Sequence, residues 1–498
     1  MRVDTPRRAA RAAAAGAVLT ALLTACTPVV GPSVSRSVTP PPRDFTIMTS
    51  ERLDTADPAT ATSDVDSIVT INTYQRLMLV LPASGDLKPD AATDCFFASR
   101  TVYQCTLPEG LTFHNGHELT SSDVKFSIER ALRLNAPGTS ISMLGALDRI
   151  EALDPTTIRF HLGWADNQFG YALAGPAASI VDQEVYDPDT PLGAVTLPVG
   201  SGPYRVNSMD EGGVTFVLNE QYHGPLVGDL PRIRLARVAD SVAAEAAIAD
   251  GSTDMVWRTL DEPALGRLAA EVTANPERTT AKGFTRWAMP GTRTAMLVWN
   301  PDSRLRRNAT LRLGVARALQ RDRTLDSIVP VGVDGHLAAF PVGGRPKLPD
   351  LNGDRINLTL GYLPTAPGHA DMARLLRDRI EGLGGISVRL VTGQGADLVL
   401  TDQGAWVNNA MGWLQRYLDN PLPGSAAKLQ SVERRARTTS GEARTVALGE
   451  LQKQAAVDAT VLPVSQADGI LMVGHGVSLI GEPFASGWQL GLWGIRRG

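Results

Sequence analysis

The sequence predicts a mixed α/β protein of two lobes. Its 498 residues correspond to roughly three domain lengths of about 150 residues each, too long for one small core. Strand-like and helix-like patterns interleave irregularly, and no fixed-period repeat indicates a solenoid or propeller. Hydrophobic residues make up 43% of the chain and charged residues 20%, a composition typical of globular proteins.

The charge balance gives no support for a nucleic-acid partner. Lys and Arg number 48 and Asp and Glu 52, so the net charge is −4. No basic stripe of the kind that binds phosphate backbones stands out. We therefore expect no nucleic-acid partner.

The first 26 residues form a targeting segment. Four arginines precede an apolar run, Ala12–Leu23, which is short for a membrane span but suits the core of a signal peptide. The run ends in Leu23-Thr24-Ala25-Cys26, which resembles the bacterial lipobox, where the cysteine receives a diacylglyceryl group and becomes the first residue. The alternative is an ordinary secretory signal with an incidental cysteine.

We therefore predict a signal peptide at residues 1–25 and lipid attachment at Cys26. Residues 26–43 are rich in Pro, Ser, Thr and Val and are predicted to form a flexible tether. This places the protein outside the cytoplasm, anchored to the outer face of the cytoplasmic membrane.

Cys95 and Cys105 are the other two cysteines. They lie in an aromatic and β-branched stretch between turn signals. In an oxidising compartment we expect a disulfide across a hairpin, and two free buried thiols are the alternative. Neither cysteine belongs to a CxxC motif, so a zinc or redox site has no support.

The folded part is predicted to begin near Asp44. A strand pattern starts at Phe45, and a helix candidate spans Asp64–Leu79. An alternating stretch then ends in Phe113-His-Asn-Gly-His117, a hairpin-type turn in which glycine supplies a positive φ. The segment Thr120-Ser-Ser-Asp123 is a capping box that starts a helix. Later predicted elements are strands at 157–162 and 214–218 and helices at 308–320 and 441–458.

No catalytic signature is present, and we predict neither an enzyme nor a cofactor. The motifs HExxH, GxxxxGK[ST], GxGxxG and GxSxG are all missing. Ser122-Asp-Val-Lys125 matches SxxK, but neither SDN nor KTG follows, and capping and surface residues are ordinary in a first helical turn. His114 and His117 supply only two metal ligands, so a solvated turn is favoured over a metal site.

Four ordered segments carry a family resemblance. They are residues 107–131, LPEGLTFHNGHELTSSDVKFSIERA; Gly200-Ser-Gly-Pro-Tyr-Arg205 with residues 214–222; Trp299-Asn-Pro with residues 311–321; and residues 442–464. Together they resemble the extracellular solute-binding proteins of peptide and nickel ABC importers, the oligopeptide- and dipeptide-binding lipoproteins.

The resemblance implies a bilobal periplasmic-binding-protein-like α/β fold of the large, three-domain type, with discontinuous domains and a hinge. It implies a first domain at 44–70, 190–283 and 469–498, a second inserted at 71–189, and a third, forming the second lobe, at 284–468. A monomer of this kind encloses a peptide or other small solute between its lobes and docks on an ABC permease in the membrane.

The resemblance also directs attention to a carboxylate. The family usually carries Trp-x-x-Asp-Tyr-x-Asp-Pro in the third domain, where an Asp binds the peptide ammonium. This chain has residues 397–409 there, DLVLTDQGAWVNN, without the Asp-Pro element. Asp402 is our candidate for the carboxylate, with Trp406 and Trp413 as walls, and a capping Asp at a strand end is the alternative.

Tyr74 and Trp287 are two further candidates for the ligand site. The alternative for each is a core aromatic, since large aromatic side chains are usually buried. We expect Trp299, Trp488 and Trp493 in the core.

The missing Asp-Pro element leaves a second function open. A lipoprotein of this fold could regulate or sense at the cell envelope without transport. Neighbouring permease and ATPase genes would favour import. A hydrolase is the weakest hypothesis, because no nucleophile, base and orienting group can be named together.

Overall fold

A computed structural model of the protein describes residues 43–344, 355–402, 404–481 and 483–498. Residues 44–498 belong to one compact unit. The predicted signal peptide, Cys26 and the tether up to residue 42 lie outside the described residues. Within the described ranges, no helix is long and apolar enough to cross a bilayer.

The helices of the described chain follow one another in this order: α1 (Asp64–Thr73), α2 (Ser121–Leu134), α3 (Phe169–Ala172), α4 (Ser241–Asp250), α5 (Glu262–Ala274), α6 (Ala309–Ala318), α7 (His369–Glu381), α8 (Ala410–Leu418), α9 (Ala426–Thr438) and α10 (Gly441–Asp458). Short 3₁₀ turns occur at Ser140–Leu144, Pro176–Ala178, Arg304–Arg307 and Leu492–Gly494.

The strands are β1 (Phe45–Thr49), β2 (Met78–Val80), β3 (Leu87–Pro89), β4 (Asp94–Ser99), β5 (Val102–Thr106), β6 (Leu147–Asp154), β7 (Thr157–Leu162), β8 (Tyr204–Asp210), β9 (Gly213–Leu218), β10 (Arg232–Arg237), β11 (Met255–Val256), β12 (Thr285–Trp299), β13 (Ile356–Tyr362), β14 (Ile386–Thr392), β15 (Leu398–Thr401), β16 (Val461–Val473), β17 (Val477–Leu479) and β18 (Ile495–Arg497).

Local capping signals set several helix ends. Thr120 is the N-cap of α2, and its capping box with Asp123 is formed as predicted, because the two side chains satisfy backbone N–H groups that have no intrahelical partner. Helix α10 has its predicted limits. Helix α1 is shorter than predicted, since Tyr74 takes an extended backbone conformation and the chain continues into β2.

The histidine turn also forms as predicted. Gly116 has φ +90°, and its N–H donates to the carbonyl oxygen of Phe113 at 2.9 Å. His117 Nδ1 lies 2.8 Å from Asp182. Burial lowers the pKa of His114 to about 4, so this ring is neutral at pH 7.

A ten-stranded sheet runs through the unit in the order β14-β13-β15-β12-β16-β11-β1-β10-β9-β8. Strand β1 is parallel to both of its neighbours, with Ile47 opposite Leu235 and Met255. Strand β13 is likewise parallel to β14 and β15. The other pairs are antiparallel, so the sheet is mixed, as in many α/β folds.

The long strands β12 and β16 join the two halves of this sheet. They pair antiparallel from Thr285 opposite Val473 to Val298 opposite Val461. The register shifts between Met289 and Arg293. Gly291 within this break has φ +64°, a left-handed conformation that costs glycine little.

Residues between β1 and β8 supply a separate antiparallel sheet in the order β4-β5-β7-β6. Cys95 lies opposite Cys105 in the β4–β5 pair, and the two are joined by a disulfide. The predicted bridge across a hairpin is therefore confirmed.

Three large hydrophobic cores stabilise the unit. One combines residues from β1, α1, β8–β11 and the segment after β16. A second draws on residues 59–180 together with Val407, and a third on residues 295–464. Because Val407 is fully buried in the second core, the segment after β15 fastens the third core to the second.

Candidate ligand-binding cleft

Three charged residues lie just beyond strand ends. Glu51 follows β1, Arg258 follows β11 and Asp402 directly follows β15. Strands β1 and β11 are parallel, so their carboxyl ends share one edge. The fold brings Asp402 to this edge, where Arg258 Nη2 donates to the main-chain oxygen of Asp402 at 3.4 Å.

The backbone of Arg258 is left-handed, with φ +43°. This conformation costs a non-glycine residue about 1–2 kcal/mol, so the surrounding structure must hold it. Thr259 does so, since its hydroxyl donates to Trp257 O at 2.7 Å and accepts from Ser50 N at 2.9 Å. The result is an Arg258 side chain in an ion pair with Asp64.

The imidazole of His369 lies beside the Asp402 carboxylate. His369 is the first residue of α7 and is 2% exposed, and its Nε2 lies 3.2 Å from Asp402 Oδ1. Burial alone would raise the pKa of Asp402, but the close His369 and the charge of Arg258 outweigh it and hold that pKa well below its usual range. Asp402 is therefore ionised at pH 7.

The pKa of Glu51 shifts in the opposite direction to that of Asp402. Burial, reinforced by the negative charge of Asp64, raises the pKa of Glu51 to about 8. Burial also raises the pKa of Asp64, although Arg258 opposes that shift. We call Glu51, Asp64, Arg258, His369 and Asp402 the charged cluster. At pH 7 the Glu51 carboxyl group is largely protonated, and it ionises as the pH rises through about 8.

A separate cavity of about 490 Å³ has a lining that includes none of the charged cluster. Its walls come from the β2–β3 connection, from the register break in β12, and from the segment that begins α8. The lining includes residues 82–86, 290–292, 330–334 and 408–410, with Tyr171, Trp413, Arg444 and Trp488.

Hydrogen bonds join segments that are far apart in the sequence around the charged cluster and the cavity. Ser50 Oγ donates to Thr365 O at 2.9 Å. Asn408 Nδ2 donates to Pro82 O at 3.2 Å, and Asn408 N donates to Ser486 O at 2.7 Å. Hydrogen bonds thus connect residues 50, 82 and 486 with the segments around 365 and 408.

The predicted walls Trp413 and Trp406 have different positions. Trp413 lines the cavity, and its Nε1 donates to Asn408 Oδ1 at 2.9 Å. Trp406 is half-buried against the second core. Asp402 belongs to the charged cluster and not to the cavity lining, so the three predicted residues surround different parts of the crevice.

Tyr74 is a core residue in the structure and not a cleft residue. It is 0% exposed, and its hydroxyl is engaged by Ala56 O at 2.9 Å and Tyr186 Oη at 2.6 Å. A ligand has no access to it, because helix α1 ends before Tyr74 and turns the ring inward.

Trp287 is 36% exposed and stacks on Phe484 at a centroid distance of 5.6 Å. Trp488 packs on the other side of Phe484, at 5.5 Å, and lines the cavity. Trp488, expected in the core, is half-buried: it packs against the first core and also lines the cavity, whereas Trp299 and Trp493 are buried as expected.

In the described part of the chain, no three His, Cys, Asp or Glu residues are grouped so that they could hold a metal ion. The charged cluster instead places Arg258 and Asp402 in a partly desolvated place, where charges interact more strongly than in water.

Sequence reasoning missed Glu51, Arg258 and His369. Arg258 lies 194 residues from its partner Asp64, and neither sits in a recognisable motif. The signal that existed was weak: each residue follows or begins an element at a crevice edge, where α/β proteins usually bind ligands.

Comparison with known proteins gives a family. Residues 86–354, more than half of the chain, match the family described as bacterial extracellular solute-binding proteins, family 5 Middle. The glutathione-binding protein GsiB of Pectobacterium atrosepticum is 26% identical over 202 residues, 38% of this chain and 37% of that protein. The probable D,D-dipeptide-binding periplasmic protein DdpA of Escherichia coli is 28% identical over 211 residues, 40% of each chain. These alignments span about two fifths of the relatives' length.

Solved structures show the same fold over almost the whole chain. AgaA from Agrobacterium tumefaciens, in complex with agropinic acid, has a TM-score of 0.78 at 17% identity, covering 92% of this chain and 99% of its own. DppA from Helicobacter pylori, in complex with the peptide STSA, has a TM-score of 0.77 at 17% identity, covering 91% and 98%. The predicted periplasmic-binding-protein-like α/β fold is confirmed, and the chain belongs to family 5 of the bacterial extracellular solute-binding proteins.

Proposed function

We propose that this protein is the substrate-binding lipoprotein of an ABC importer. It captures a peptide or peptide-like solute between two lobes and delivers it to a membrane permease. In this proposal the protein is a monomer, Cys26 carries the lipid anchor, and the lobes divide as the family resemblance implies, with domain limits at 70/71, 189/190, 283/284 and 468/469.

The family assignment supports the solute-binding role. Relatives and structural neighbours are named for glutathione, D,D-dipeptides, a Met-Leu dipeptide, the peptide STSA and agropinic acid. Most of these names describe small peptides. We therefore propose a ligand of that size and class for this chain.

The observation that carries the proposal is the position of Asp402 beside His369 and Arg258 at the end of β15. His369 Nε2 lies 3.2 Å from its carboxylate and Arg258 donates to its main-chain oxygen, at a place where residues 50–64 meet residues 365–402. A solute ammonium placed there gains a charge-assisted hydrogen bond, which is stronger than a bond between neutral groups. A solute that touches both parts favours their closed arrangement through its differential contacts.

The alternative role is sensing or regulation at the cell envelope without transport. The family's Asp-Pro element is missing next to Asp402, so the site has diverged from the usual pattern. Uptake of labelled ligand by cells with and without the gene separates the two roles, because only an importer supports accumulation.

Solute identification is the first test. The protein is purified under mild conditions, denatured, and any released solute identified by mass spectrometry. Affinity for that solute, or for a panel of di- to tetrapeptides where none is retained, is then measured by calorimetry. We expect a ligand that carries an ammonium group.

Asp402→Asn is the matched mutational test. We expect this substitution to weaken binding by about 2–5 kcal/mol, because the ligand's ammonium would stay desolvated without a charged partner. Asp371→Asn, an exposed carboxylate on α7, is the control and should bind as the wild type does. Equal affinity of Asp402→Asn and wild type would remove Asp402 from the site, and a ligand without an ammonium would contradict the peptide proposal.

A further inference from the structure

Arginine is concentrated in residues 302–323, which include the 3₁₀ turn Arg304–Arg307, helix α6 and the turn after that helix. The segment contains seven arginines and two aspartates, which gives it a net charge of +5, whereas the whole chain carries −4. Four of these arginines are exposed, namely Arg304, Arg307, Arg317 and Arg321. We call these four side chains the basic surface.

Arg304 and Arg307 share one side of their turn, because side chains three residues apart in a 3₁₀ helix eclipse one another. Arg306 between them is 7% exposed and donates to the main-chain oxygen of Asn420. Within the described ranges, no carboxylate oxygen lies within 4 Å of Arg304, Arg307 or Arg321. These three cations are therefore available to an external anion.

The acidic residues of the segment do not cancel its charge. Asp322 is already paired with Arg379 of α7, whose Nε lies 2.5 Å from Asp322 Oδ2. Asp322 thus compensates a cation of another helix. Asp302 is the other acid of the segment, and a single carboxylate leaves most of the charge of the basic surface uncompensated.

The buried arginines of the segment add to its positive charge. Arg306 and Arg312 both interact with one carboxylate, that of Asp458. Arg323 donates to three main-chain oxygens at 2.7, 2.8 and 2.9 Å, and no carboxylate of the described chain lies within 4 Å of it. Main-chain oxygens satisfy a guanidinium group without neutralising it, so the interior of the segment is also positive.

The basic surface begins at the opposite end of β15 from the charged cluster. Trp299, the last residue of β12, lies opposite Leu398, the first residue of β15. Asp402 directly follows the other end of β15, whereas the turn Arg304–Arg307 follows Trp299. A partner bound at this turn therefore leaves the charged cluster free.

Phosphate groups are the anions that suit such a surface, because guanidinium groups bind them through paired, charge-assisted hydrogen bonds. A lipid anchor at Cys26 would also hold the folded body at a high local concentration beside a bilayer. We propose that the basic surface docks the protein on anionic phospholipid headgroups of the membrane to which it is anchored. This inference goes beyond solute capture and rests on the proposed function only for the anchor.

The predicted tether is long enough for this contact. Residues 27–43 span at most about 60 Å when fully extended. A folded unit the size of residues 44–498 has a diameter of about 60 Å, so any side of the body can reach the bilayer. The chain outside residues 302–323 has a net negative charge, which an anionic bilayer repels. The basic surface is therefore the side that turns towards the headgroups.

A fluorophore beside the basic surface tests the contact. Thr310 is exposed in the first turn of α6. Thr310→Cys supplies a single thiol for labelling, because Cys26 is predicted to carry the lipid and Cys95–Cys105 is a disulfide. The labelled lipoprotein is reconstituted on vesicles of phosphatidylcholine with or without phosphatidylglycerol, each with a quencher on the lipid headgroup. We expect quenching on the phosphatidylglycerol vesicles alone, and we expect high salt to abolish it through screening.

The variants locate the contact. Arg304→Gln and Arg307→Gln should each lower the equilibrium constant for contact about fivefold, and the double variant about 25-fold, since each arginine near an anionic bilayer contributes separately. Arg100→Gln removes an exposed arginine from the turn between β4 and β5 and should leave quenching as in the wild type. Thermal unfolding of each labelled variant checks that it folds.

The outcomes separate the inference from the proposed function. Equal quenching on both kinds of vesicle, or unchanged quenching in the double variant, overturns the inference while solute binding stands. Absence of quenching on both also overturns it and leaves an acidic protein as the partner of the basic surface, since the vesicles contain no other protein. If the purified protein carries no lipid and does not stay with vesicles, the proposed anchor is overturned and the inference with it.

Discussion

Arg437 Nη1 lies 3.2 Å from Asp166 Oδ2, and both side chains are buried, at 5% and 0% exposure. The pair joins α9 to the loop before α3. Beside it, Asn167 N donates to Arg437 O at 2.8 Å, and Arg437 Nη2 donates to Gln415 Oε1 at 2.9 Å. The second and third cores are thus connected by a desolvated ion pair at a distance from the charged cluster.

Arg437→Gln should destabilise the protein by about 3–5 kcal/mol, because it leaves the Asp166 carboxylate buried without its cation. Burial already raises the pKa of Asp166, and Arg437 opposes that shift. Urea unfolding monitored by tryptophan fluorescence measures the change. Arg435→Gln, whose partner Glu450 is exposed, is the control and should cost less than about 1 kcal/mol.

The double variant Asp166→Asn with Arg437→Gln should recover part of this loss, since no unpaired charge remains. Additive losses in the two single variants would show that the residues do not interact.

X-ray scattering of the Arg437→Gln protein should also show a larger radius of gyration if the pair holds the closed arrangement, and an unchanged radius would contradict that role.

Glu51 predicts a pH dependence of stability. Its pKa is raised from 4.5 to about 8 by burial and by Asp64, so its contribution is fully present below pH 4.5 and is lost as the pH rises through about 8. Relative to Glu51→Gln, the wild type should lose on the order of 2 kcal/mol between pH 5 and pH 9. The whole pKa shift would correspond to about 1.4 kcal/mol of stability per pKa unit. We expect a smaller loss, because solvent reaches part of the Glu51 side chain and screens its charge.

Unfolding free energies measured across this range provide the test. Glu220→Gln changes an exposed glutamate and should follow the wild type at every pH. A constant difference between wild type and Glu51→Gln from pH 5 to 9 would mean that Glu51 titrates normally in the folded protein.

The Cys95–Cys105 disulfide should leave no free thiol at either position. Titration of the denatured, unreduced Cys26→Ala protein should detect none, whereas two reactive thiols would contradict the bridge. Replacing both cysteines by serine should cost about 2–3 kcal/mol, because the bridge closes a short loop and restricts the unfolded chain. The difference between the free energies of unfolding with and without reductant gives an independent measure of the disulfide's contribution to stability.

Lipid attachment at Cys26 is a prediction from the sequence. Cells fed a clickable fatty-acid analogue should label the wild-type protein and not Cys26→Ala, which should also leave the membrane fraction. Cys95→Ser is the control and should keep the label. Labelling of the Cys26→Ala protein at the wild-type level would show that Cys26 is not the attachment point.

Local signals allowed much of the fold to be predicted. The capping box at Thr120, the left-handed Gly116 and the limits of α10 depend on residues close in sequence, where propensity and hydrogen bonding decide. Helix α1 was predicted too long, because its end depends on tertiary contacts of Tyr74 with Tyr186. Ordered motifs supplied the overall fold through the family resemblance.

The site was less predictable because its parts are far apart along the chain. Asp402 was identified through the family resemblance, which directs attention to a carboxylate in this segment, but its contacts with His369 and Arg258 exist only in the folded protein. The left-handed backbone of Arg258 has no sequence signature, since it is imposed by Thr259 and Ser50. Trp488 was assigned to the core by residue type alone, which does not report a cavity beside it.

The register break between β12 and β16 changes how the two strands are joined next to the cavity. At Gly291 the ladder is replaced by side-chain bonds: its N–H donates to Asp468 Oδ1 at 3.0 Å, and its oxygen accepts from Gln466 Nε2 at 3.1 Å. Side-chain bonds thus join the two strands where the ladder is interrupted between Met289 and Arg293. Pro290, Gly291 and Thr292 are also cavity walls. A molecule in the cavity would therefore contact the strand pair where side chains, and not the ladder, join β12 to β16.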